Sequence, residues 1–341
     1  MAEHRQRMSL PSPCEDLLGN DRCSPLGEQP LLWHDAAAVP DALPAWAIHV
    51  GLDAAGALPS VDAGRLDVLL TTCPDAPAPW VSIPVARLAA QRGQVEALVT
   101  TAPIAAATLA RLLRLGDILP FEAALHVESL AYSMLLSGGE FARWLAARKI
   151  EPSSMIAPLS SSLVRYEREG DHVTLWLASP GNRNAMTAAM RDALYEALAN
   201  VLEDPSCPSV EIRGEGRCFS TGGHLPEFGT ARDPAAAHVV RTLRGCAGLL
   251  HRLGERASVR LQGACVGSGI EVAAAARHRI AAPDMFAQLP ELKMGLIPGA
   301  GGTVTLARAI GRHRLLWMVL GAFRIGAVQA QAWGLVDRVE A

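Results

Sequence analysis

The chain has 341 residues, of which 50% are hydrophobic and 19% are charged, and its formal net charge at pH 7 is −3. This composition predicts a packed globular core and argues against intrinsic disorder. The small negative charge, the lack of a Lys/Arg cluster and an aromatic content of 5% argue against nucleic acid or an anionic membrane as a partner.

The seven cysteines include no C-x-x-C pair, and their number is odd. Both features argue against a disulfide framework and against a zinc site, so we expect a reducing compartment, a cytoplasmic location and no bound metal. The first 20 residues lack the apolar segment of a secretory signal. No run of about 20 apolar residues predicts a membrane span.

Residues 1–82 are predicted to be an irregular region with short strands. The first 45 residues are rich in Pro, Asp and Ala and show no hydrophobic period. The stretches WAIHVGL and RLDVLLTT, within residues 46–72, predict two short strands around a Gly/Pro turn.

Residues 83–150 are predicted to be a helical segment. The pattern is helical over 83–114 and again over 120–149, where apolar residues recur near the 3.6-residue period. Gly138-Gly139 is expected to divide the second stretch into two helices. Glu122 and Glu128 are expected to be solvated or interfacial helix residues. Residues 151–162, EPSSMIAPLSSS, have the composition of a linker.

From residue 163 to the end, predicted strands alternate with predicted helices. LVRYEREGDHVTLWLAS indicates two strands joined by a turn, SPGNRNAMT a loop, AAMRDALYEALANVLED a helix and SVEIRGEG a further strand. Such alternation is typical of an α/β unit with buried strands.

Four motifs occur in this last part, in the order NRNAM (182–186), FSTGG (219–223), GACVGSGIE (263–271) and PE…GLIPGAGGT (290–303). Their glycines do not fit a nucleophile elbow, because Val266 and Ile270 flank the GSG where glycines are required. They do not fit a dinucleotide fingerprint either, because GAGGTV ends in Val304 and follows no buried strand. Taken together, the four motifs resemble the crotonase, or enoyl-CoA hydratase/isomerase, superfamily over about residues 163–341.

The resemblance implies a crotonase-like ββα-superhelix core that acts on an acyl-CoA thioester. It assigns the two backbone N–H groups of an oxyanion hole to Gly223 and Ser268, where donors of this kind are worth about 10²–10³ in rate. It assigns a pair of catalytic carboxyls to Glu271, mainly for water, and Glu291, mainly for the α-proton. Because many relatives keep fewer glutamates, the pair favours a hydro-lyase that adds water to a C2=C3 bond or removes it.

The resemblance also implies binding residues and partners. CoA and substrate contacts are expected from Arg183 and Ala185 in NRNAM, from Gly223, His224, Leu225 and Pro226, and from Ser268. CoA enters as part of the substrate, with no metal or redox cofactor. The family implies a homotrimer or homohexamer, and a place in fatty acid metabolism.

The chain departs from the family pattern in two ways. His224 stands where relatives carry Asp, which puts the substrate in question because His can donate a hydrogen bond or titrate. Relatives continue with several helices after the segment that matches 332–341, whereas here residues 95–149 resemble such a tail. The second departure predicts a circular permutation, in which the helical segment precedes the core and covers the active site.

Other reactions on the same fold stay open at this point. They are double-bond isomerisation, thioester hydrolysis and dehydration of a carrier-tethered acyl chain. An inactive acyl-CoA-binding subunit is a further alternative, which the two glutamates argue against.

Overall fold

A computed structural model describes residues 21–148 and 162–340. The N-terminal part contains a four-stranded, all-parallel sheet in the order β1-β2-β3-β4. Its strands are β1 (Leu31–Asp35), β2 (Ile48–Asp53), β3 (Val68–Thr71) and β4 (Val81–Ser82). Strands β2 and β3 lie within the two stretches that the sequence predicts to be extended, and almost every residue in them is buried.

Strand β1 corrects the expectation of an irregular segment over residues 1–45. Residues 31–35 pair in register with β2, from Leu31 opposite Ile48 to Asp35 opposite Leu52. The segment LLWHD is short and only partly buried. Its sequence therefore lacks the alternation of apolar and polar residues that predicts a strand. It is extended because it satisfies the hydrogen bonds of a buried neighbouring strand. Residues 1–20 lie outside the described residues.

Four helices follow: α1 (Val85–Thr101), α2 (Pro103–Gly116), α3 (Phe121–Leu136) and α4 (Gly139–Ala147). The predicted break at Gly138-Gly139 is confirmed, since α3 ends just before it and α4 begins in it. The predicted helix over 83–114 is divided at Pro103, which lacks an N–H and disfavours helical geometry at Ala102. Within the described residues no single helix has the length and apolar character to cross a membrane; only α1 and α2 together, bent by 105°, satisfy those criteria.

The C-terminal part is mixed α/β, as its alternating pattern predicts. Its six-stranded sheet has the order β13-β10-β8-β7-β6-β5 and is parallel except between β5 and β6, and a three-stranded sheet has the order β12-β11-β9. The elements are β5 (Val164–Glu169), β6 (His172–Leu177), α5 (Ala188–Glu203), β7 (Ser209–Gly214), α6 (Pro234–Leu243), α7 (Cys246–Leu253), β8 (Ala257–Leu261), β9 (Ala264–Val266), α8 (Ser268–Ala273), β10 (His278–Ala281), β11 (Phe286–Gln288), α9 (Gly302–Ile310), α10 (Arg312–Leu320), β12 (Arg324–Gly326), α11 (Ala327–Trp333) and β13 (Arg338–Val339). Of the predicted linker 151–162, all but residue 162 lies outside the described residues.

The N-terminal sheet packs on the C-terminal part through α10. Buried Arg312 donates to the carbonyl oxygens of Ala63 at 2.8 Å and Leu66 at 3.0 Å, and Arg314 donates to Trp80 O at 3.2 Å. One apolar cluster contains residues of β2, α2, β6 and α10. The parts that precede and follow the predicted linker therefore share an interior.

Helix α4 holds the helical segment against the core. Glu140 accepts the N–H groups of Ile104 at 2.8 Å and Ala105 at 2.9 Å, which satisfies the first turn of α2. Gly295, with φ +68°, lies so close to Glu140 that a Cβ would be 2.6 Å from the Glu140 Cβ. This contact places α4 beside the 3₁₀ turn Glu291–Met294. The circular permutation itself stays a prediction.

Candidate active site

Two glycine-containing segments run side by side at the edge of the small sheet. Ser220 N donates to Ala264 O at 3.1 Å, and Val266 N donates to Ser220 O at 3.0 Å. One step further, Gly222 has φ +82° and a Cβ there would be 2.5 Å from Val266 O. Only glycine allows this backbone approach. The pairing brings the backbone that follows Gly222 next to the start of α8.

The amides of Gly223 and Ser268 are free at this junction. Neither N–H donates to an acceptor among the described residues. Ser268 begins α8, where first-turn amides have no intrahelical acceptor. Gly223 has no room for a side chain, because a Cβ would be 2.7 Å from the ring of Phe228. Both residues line one cavity, which makes their N–H groups candidates for binding a ligand oxygen.

Glu271 projects from α8 and is 2% exposed. Its Oε2 accepts N–H groups from Ala300 at 2.7 Å and Gly302 at 3.0 Å. Burial raises the pKa of Glu271 well above its ordinary value, and the neighbouring carboxyls of Glu291 and Glu128 raise it further, while the two amides oppose the shift.

Glu291 begins the 3₁₀ turn beside α4 and is 7% exposed. Its Oε1 occupies the space next to Gly267, where a Cβ would be 2.7 Å away. Its Oε2 is buried and has no hydrogen-bond partner among the described residues. Burial raises the pKa of Glu291 to about 8, because a desolvated site disfavours the ionised carboxylate. The residue's own backbone N–H opposes this shift, and the charge of Glu128 adds to it.

A third buried carboxyl, Glu128 on α3, was missed by the sequence reasoning. The expectation of a solvated or interfacial residue is wrong: Glu128 is 2% exposed and accepts the N–H groups of Gly301 at 2.7 Å and Thr303 at 2.8 Å. Burial raises its pKa to about 7. A signal existed in the sequence, since Glu128 lies four residues after Ala124 on the face of α3 that is buried.

These residues surround a cavity of about 810 Å³, within the range of small-molecule sites. Five of the residues singled out from the sequence line it: Gly223, His224, Ser268, Glu271 and Glu291. Helices α3 and α4 supply one wall, so the prediction that a helical segment covers the site is confirmed. Among the described residues, no group of three or more His, Cys, Asp or Glu side chains is arranged to hold a metal ion.

The remaining predicted binding residues do not line this cavity. Arg183 is exposed with φ +51°, and its carbonyl oxygen accepts Thr221 N at 3.2 Å. Ala185 is buried, at 7% exposure. The other two, Leu225 and Pro226, are exposed just outside the cavity.

His224 and Met186 connect the NRNAM loop with the cavity. The His224 backbone N–H donates to Met186 O at 3.2 Å, and His224 Nδ1 lies 3.4 Å from Asn182 Nδ2. Asn184, fully buried, binds Ser179 N through Oδ1 at 2.9 Å and Cys218 O through Nδ2 at 3.0 Å. The motif thus fixes the loop that precedes Gly223.

Two further cavity residues have no counterpart in the sequence reasoning. Arg241 on α6 donates through Nε to Ser129 Oγ at 3.2 Å, and its Cζ lies 4.8 Å from the ring centroid of Tyr132. Burial raises the pKa of Tyr132 and lowers that of Arg241. Both residues depend on the packing of α6 against α3, which local sequence does not specify.

Comparison with known proteins identifies the family. The enoyl-CoA hydratase/isomerase family model matches residues 171–341. The chain is 31% identical over 179 residues to the peroxisomal bifunctional enzyme of Danio rerio, covering 52% of this chain and 24% of that protein. It is 30% identical over 174 residues to the enoyl-CoA isomerase/hydratase fer4 of Mycosarcoma maydis, covering 48% of this chain and 64% of that protein. The chain thus spans less than two thirds of the length of each.

Among solved structures, a crystal structure of enoyl-CoA hydratase from Thermoplasma volcanium GSS1 is 31% identical. The likeness covers 53% of this chain and 72% of that chain, with a TM-score of 0.49. Because the family model spans the C-terminal half of the sequence, the chain belongs to the enoyl-CoA hydratase/isomerase family, also called the crotonase superfamily.

Proposed function

We propose that this protein is an enoyl-CoA hydratase-like hydro-lyase, which adds water to the C2=C3 bond of an acyl-CoA thioester or removes it. One observation carries the proposal: two buried carboxyls, Glu271 and Glu291, line the same cavity as the free amides of Gly223 and Ser268. Hydration needs a base for water, an acid for the α-carbon and donors for a developing oxyanion. We assign the base to Glu271, the acid to Glu291 and the donors to the two amides.

The hydrogen bonds support different roles for the two glutamates. Glu271 accepts two backbone N–H groups, which favour its ionised form, whereas Glu291 Oε2 accepts none. Buried carboxyls this close share protons as a unit. Burial raises the pKa of both carboxyls, so the pair holds at least one proton near neutral pH. Because Glu271 Oε2 accepts two backbone N–H groups, we assign that proton to Glu291 and the negative charge to Glu271.

In the hydration direction, Glu271 would take a proton from water as the water oxygen bonds to C3. The π electrons of the C2=C3 bond then move toward the thioester, and negative charge develops on its carbonyl oxygen. The N–H groups of Gly223 and Ser268 would stabilise that charge. Glu291 would transfer its proton to C2 and complete the addition. The reverse sequence removes water.

Double-bond isomerisation is the second candidate. It needs one carboxyl that takes a proton from one carbon and returns it to another. Glu291 Oε2 is buried and accepts no hydrogen bond in the described part of the chain, while Glu271 Oε2 accepts two. A single carboxyl with an oxygen that accepts no hydrogen bond is what isomerisation requires.

Mass analysis of the acyl-CoA pool after incubation with crotonyl-CoA tests the proposal. Hydration adds the mass of one water and gives a 3-hydroxyacyl-CoA. Thioester hydrolysis releases free CoA, and an inactive binding subunit returns the substrate unchanged. Isomerisation is tested with a 3-enoyl-CoA, whose conversion to the 2-enoyl form changes absorbance but not mass. A mass gain with crotonyl-CoA supports hydration, and its absence with every enoyl-CoA contradicts it.

The wider expectations belong to the same proposal. CoA contacts through Arg183 and Ala185, action without a metal or redox cofactor, a homotrimer or homohexamer, a cytoplasmic location and a role in fatty acid metabolism stay predictions. Size-exclusion chromatography with light scattering measures the assembly state.

A further inference from the structure

Arg241 carries a half-buried positive charge that forms no ion pair with an acidic side chain in the described part of the chain. Its Nε and Nη2 atoms donate to Ser129 Oγ, Ser129 O and Ser133 Oγ. Within residues 21–148 and 162–340, no Asp or Glu oxygen lies within 4.0 Å of its guanidinium, and its Nη1 donates to no acceptor. Serine oxygens satisfy hydrogen bonds without cancelling the charge, which is costly to leave unpaired away from water.

The other arginines of the cavity differ from Arg241. Arg191 pairs with Asp192 at 2.8 Å, and Arg244 pairs with Glu196 at 3.4 Å. Arg252 is exposed, so water screens its charge. Among the described arginines of the cavity, Arg241 is therefore the one that is half-buried and has no carboxylate partner.

Glu128, the acidic residue whose charge acts on Arg241, accepts hydrogen bonds from other groups. Its Oε1 accepts Gly301 N, and its Oε2 accepts both Thr303 N and Thr303 Oγ1. These donors hold the carboxyl toward the start of α9. Neither oxygen lies within ion-pair distance of Arg241. The charge of Arg241 is therefore available to a ligand in the cavity.

Tyr132 separates this charge from the carboxyls of the reaction site. The Arg241 Cζ lies 4.8 Å from the centroid of the Tyr132 ring. The same ring packs on Gly299, where a Cβ would be 2.3 Å from Tyr132 Cδ2. Gly299 precedes Ala300, whose N–H binds Glu271. Arg241 thus lies one aromatic ring beyond the Glu271 end of the cavity, and apolar Leu125 and Val272 line the same space.

We propose that Arg241 forms an anion subsite for the distal end of the acyl group, so that the substrate class is a 2-enoyl-CoA whose acyl chain ends in a carboxylate. This inference rests on the proposed function, because it names the acyl group of that same reaction. The apolar wall suits the methylene groups between the double bond and the terminal carboxylate. The Nη1 atom, which donates to no acceptor among the described residues, leaves its N–H groups for a charge-assisted hydrogen bond to that carboxylate.

The test compares two six-carbon trans-2-enoyl-CoA substrates, one ending in a carboxylate and one in a methyl group. The wild-type protein is expected to favour the carboxylate substrate in kcat/KM by about 10-fold or more. Arg241→Met is expected to lower this ratio by about 10- to 100-fold, and Arg241→Lys to restore part of it. Arg244→Met, which removes a cavity arginine that already has a partner, should leave the ratio unchanged.

Calorimetry with the two corresponding saturated acyl-CoA ligands gives a readout that does not depend on turnover. If no enoyl-CoA is hydrated but the carboxylate ligand still binds more tightly through Arg241, the proposed reaction fails and the subsite stands. If crotonyl-CoA is hydrated but neither assay shows a carboxylate preference, the subsite is wrong. Equal effects of Arg241→Met on both substrates would also overturn it. If that variant does not fold, the wild-type preference and Arg241→Lys decide.

Discussion

Glu128 and Glu271 bind alternate amides of four consecutive residues at the start of α9. Glu271 accepts the N–H groups of Ala300 and Gly302, and Glu128 accepts those of Gly301 and Thr303. One carboxyl comes from the helical segment and the other from the core. The two acids therefore hold the same turn from opposite sides, and each depends on the backbone geometry that the other supports.

These hydrogen bonds explain how the buried carboxyls of Glu128 and Glu271 are tolerated near the third carboxyl, that of Glu291. First-turn amides have no intrahelical acceptor, and a helix N-terminus carries partial positive charge. Four N–H groups therefore offset part of the desolvation cost of Glu128 and Glu271. Glu291 lacks such donors at Oε2, and this difference is the basis for giving it the proton.

Replacing Glu128 with Gln is expected to destabilise the fold by about 1–3 kcal/mol. Gln has one acceptor oxygen, so its NH₂ group must face the N–H of either Gly301 or Thr303. Denaturant unfolding measures the loss. Glu96→Gln removes an exposed carboxylate paired with Arg92 and should change stability by no more than about 0.5 kcal/mol. Equal stability of the two variants would show that Glu128 does not hold this turn.

Replacing Gly302 with Ala should impair catalysis more than stability. The new Cβ would lie 2.6 Å from Glu271 Cγ and 2.8 Å from its Oε2, so the carboxyl must move. A displacement of about 1 Å in a catalytic group can cost about 10²-fold in rate. The readout is kcat with crotonyl-CoA beside the thermal midpoint of unfolding.

Gly93→Ala serves as the matched substitution for Gly302→Ala. Gly93 lies inside α1, and a Cβ there would meet nothing within 4 Å. Alanine is the better helix former, so this change should stabilise the protein by about 0.5–1 kcal/mol and leave kcat unaltered. Wild-type kcat in Gly302→Ala would contradict the placement of Glu271.

Stability should fall as pH rises from about 5 to 8. Burial raises the pKa of Glu128 to about 7 and that of Glu291 to about 8, from an ordinary value of 4.5. Between these values the folded state holds protons that the unfolded state has released. Stability that is fully present below the ordinary value is therefore lost as pH rises through 7 and 8, by up to about 1.4 kcal/mol per pH unit for each carboxyl.

Urea midpoints across this pH range measure the effect. Glu291→Gln should flatten the upper part of the curve, because the amide does not titrate. Stability that rises steadily between about pH 5 and 8 would contradict the raised pKa values.

The resemblance to the crotonase superfamily names residues of this site better than it describes the walls. It singles out Gly223, Ser268, Glu271 and Glu291, and all four line one cavity. For Glu128 the sequence carries only its place on the buried face of α3, four residues after Ala124, and Arg241 leaves no pattern. The environment of both residues arises from the packing of α3 and α6 against other parts of the chain. Strand β1 was missed for a related reason. Its five residues lie at the edge of the sheet and are extended because they pair with β2.

The resemblance also assigns binding roles to residues that do not line the cavity. Arg183 and Leu225 come from the motif positions, yet they lie outside the lining of the cavity that holds the glutamates. Backbone conformation at Arg183, with φ +51°, and the turn after His224 set where these side chains project. Residue type alone does not encode that direction.

The loss of enoyl absorbance from crotonyl-CoA, compared among wild type, Glu271→Gln and Glu291→Gln, tests the central claim most directly. Both variants should hydrate the substrate about 10²–10⁴-fold more slowly, because each removes one of the two proton transfers, while Glu96→Gln keeps the wild-type rate. Wild-type hydration by either glutamine variant would contradict a mechanism that uses both carboxyls.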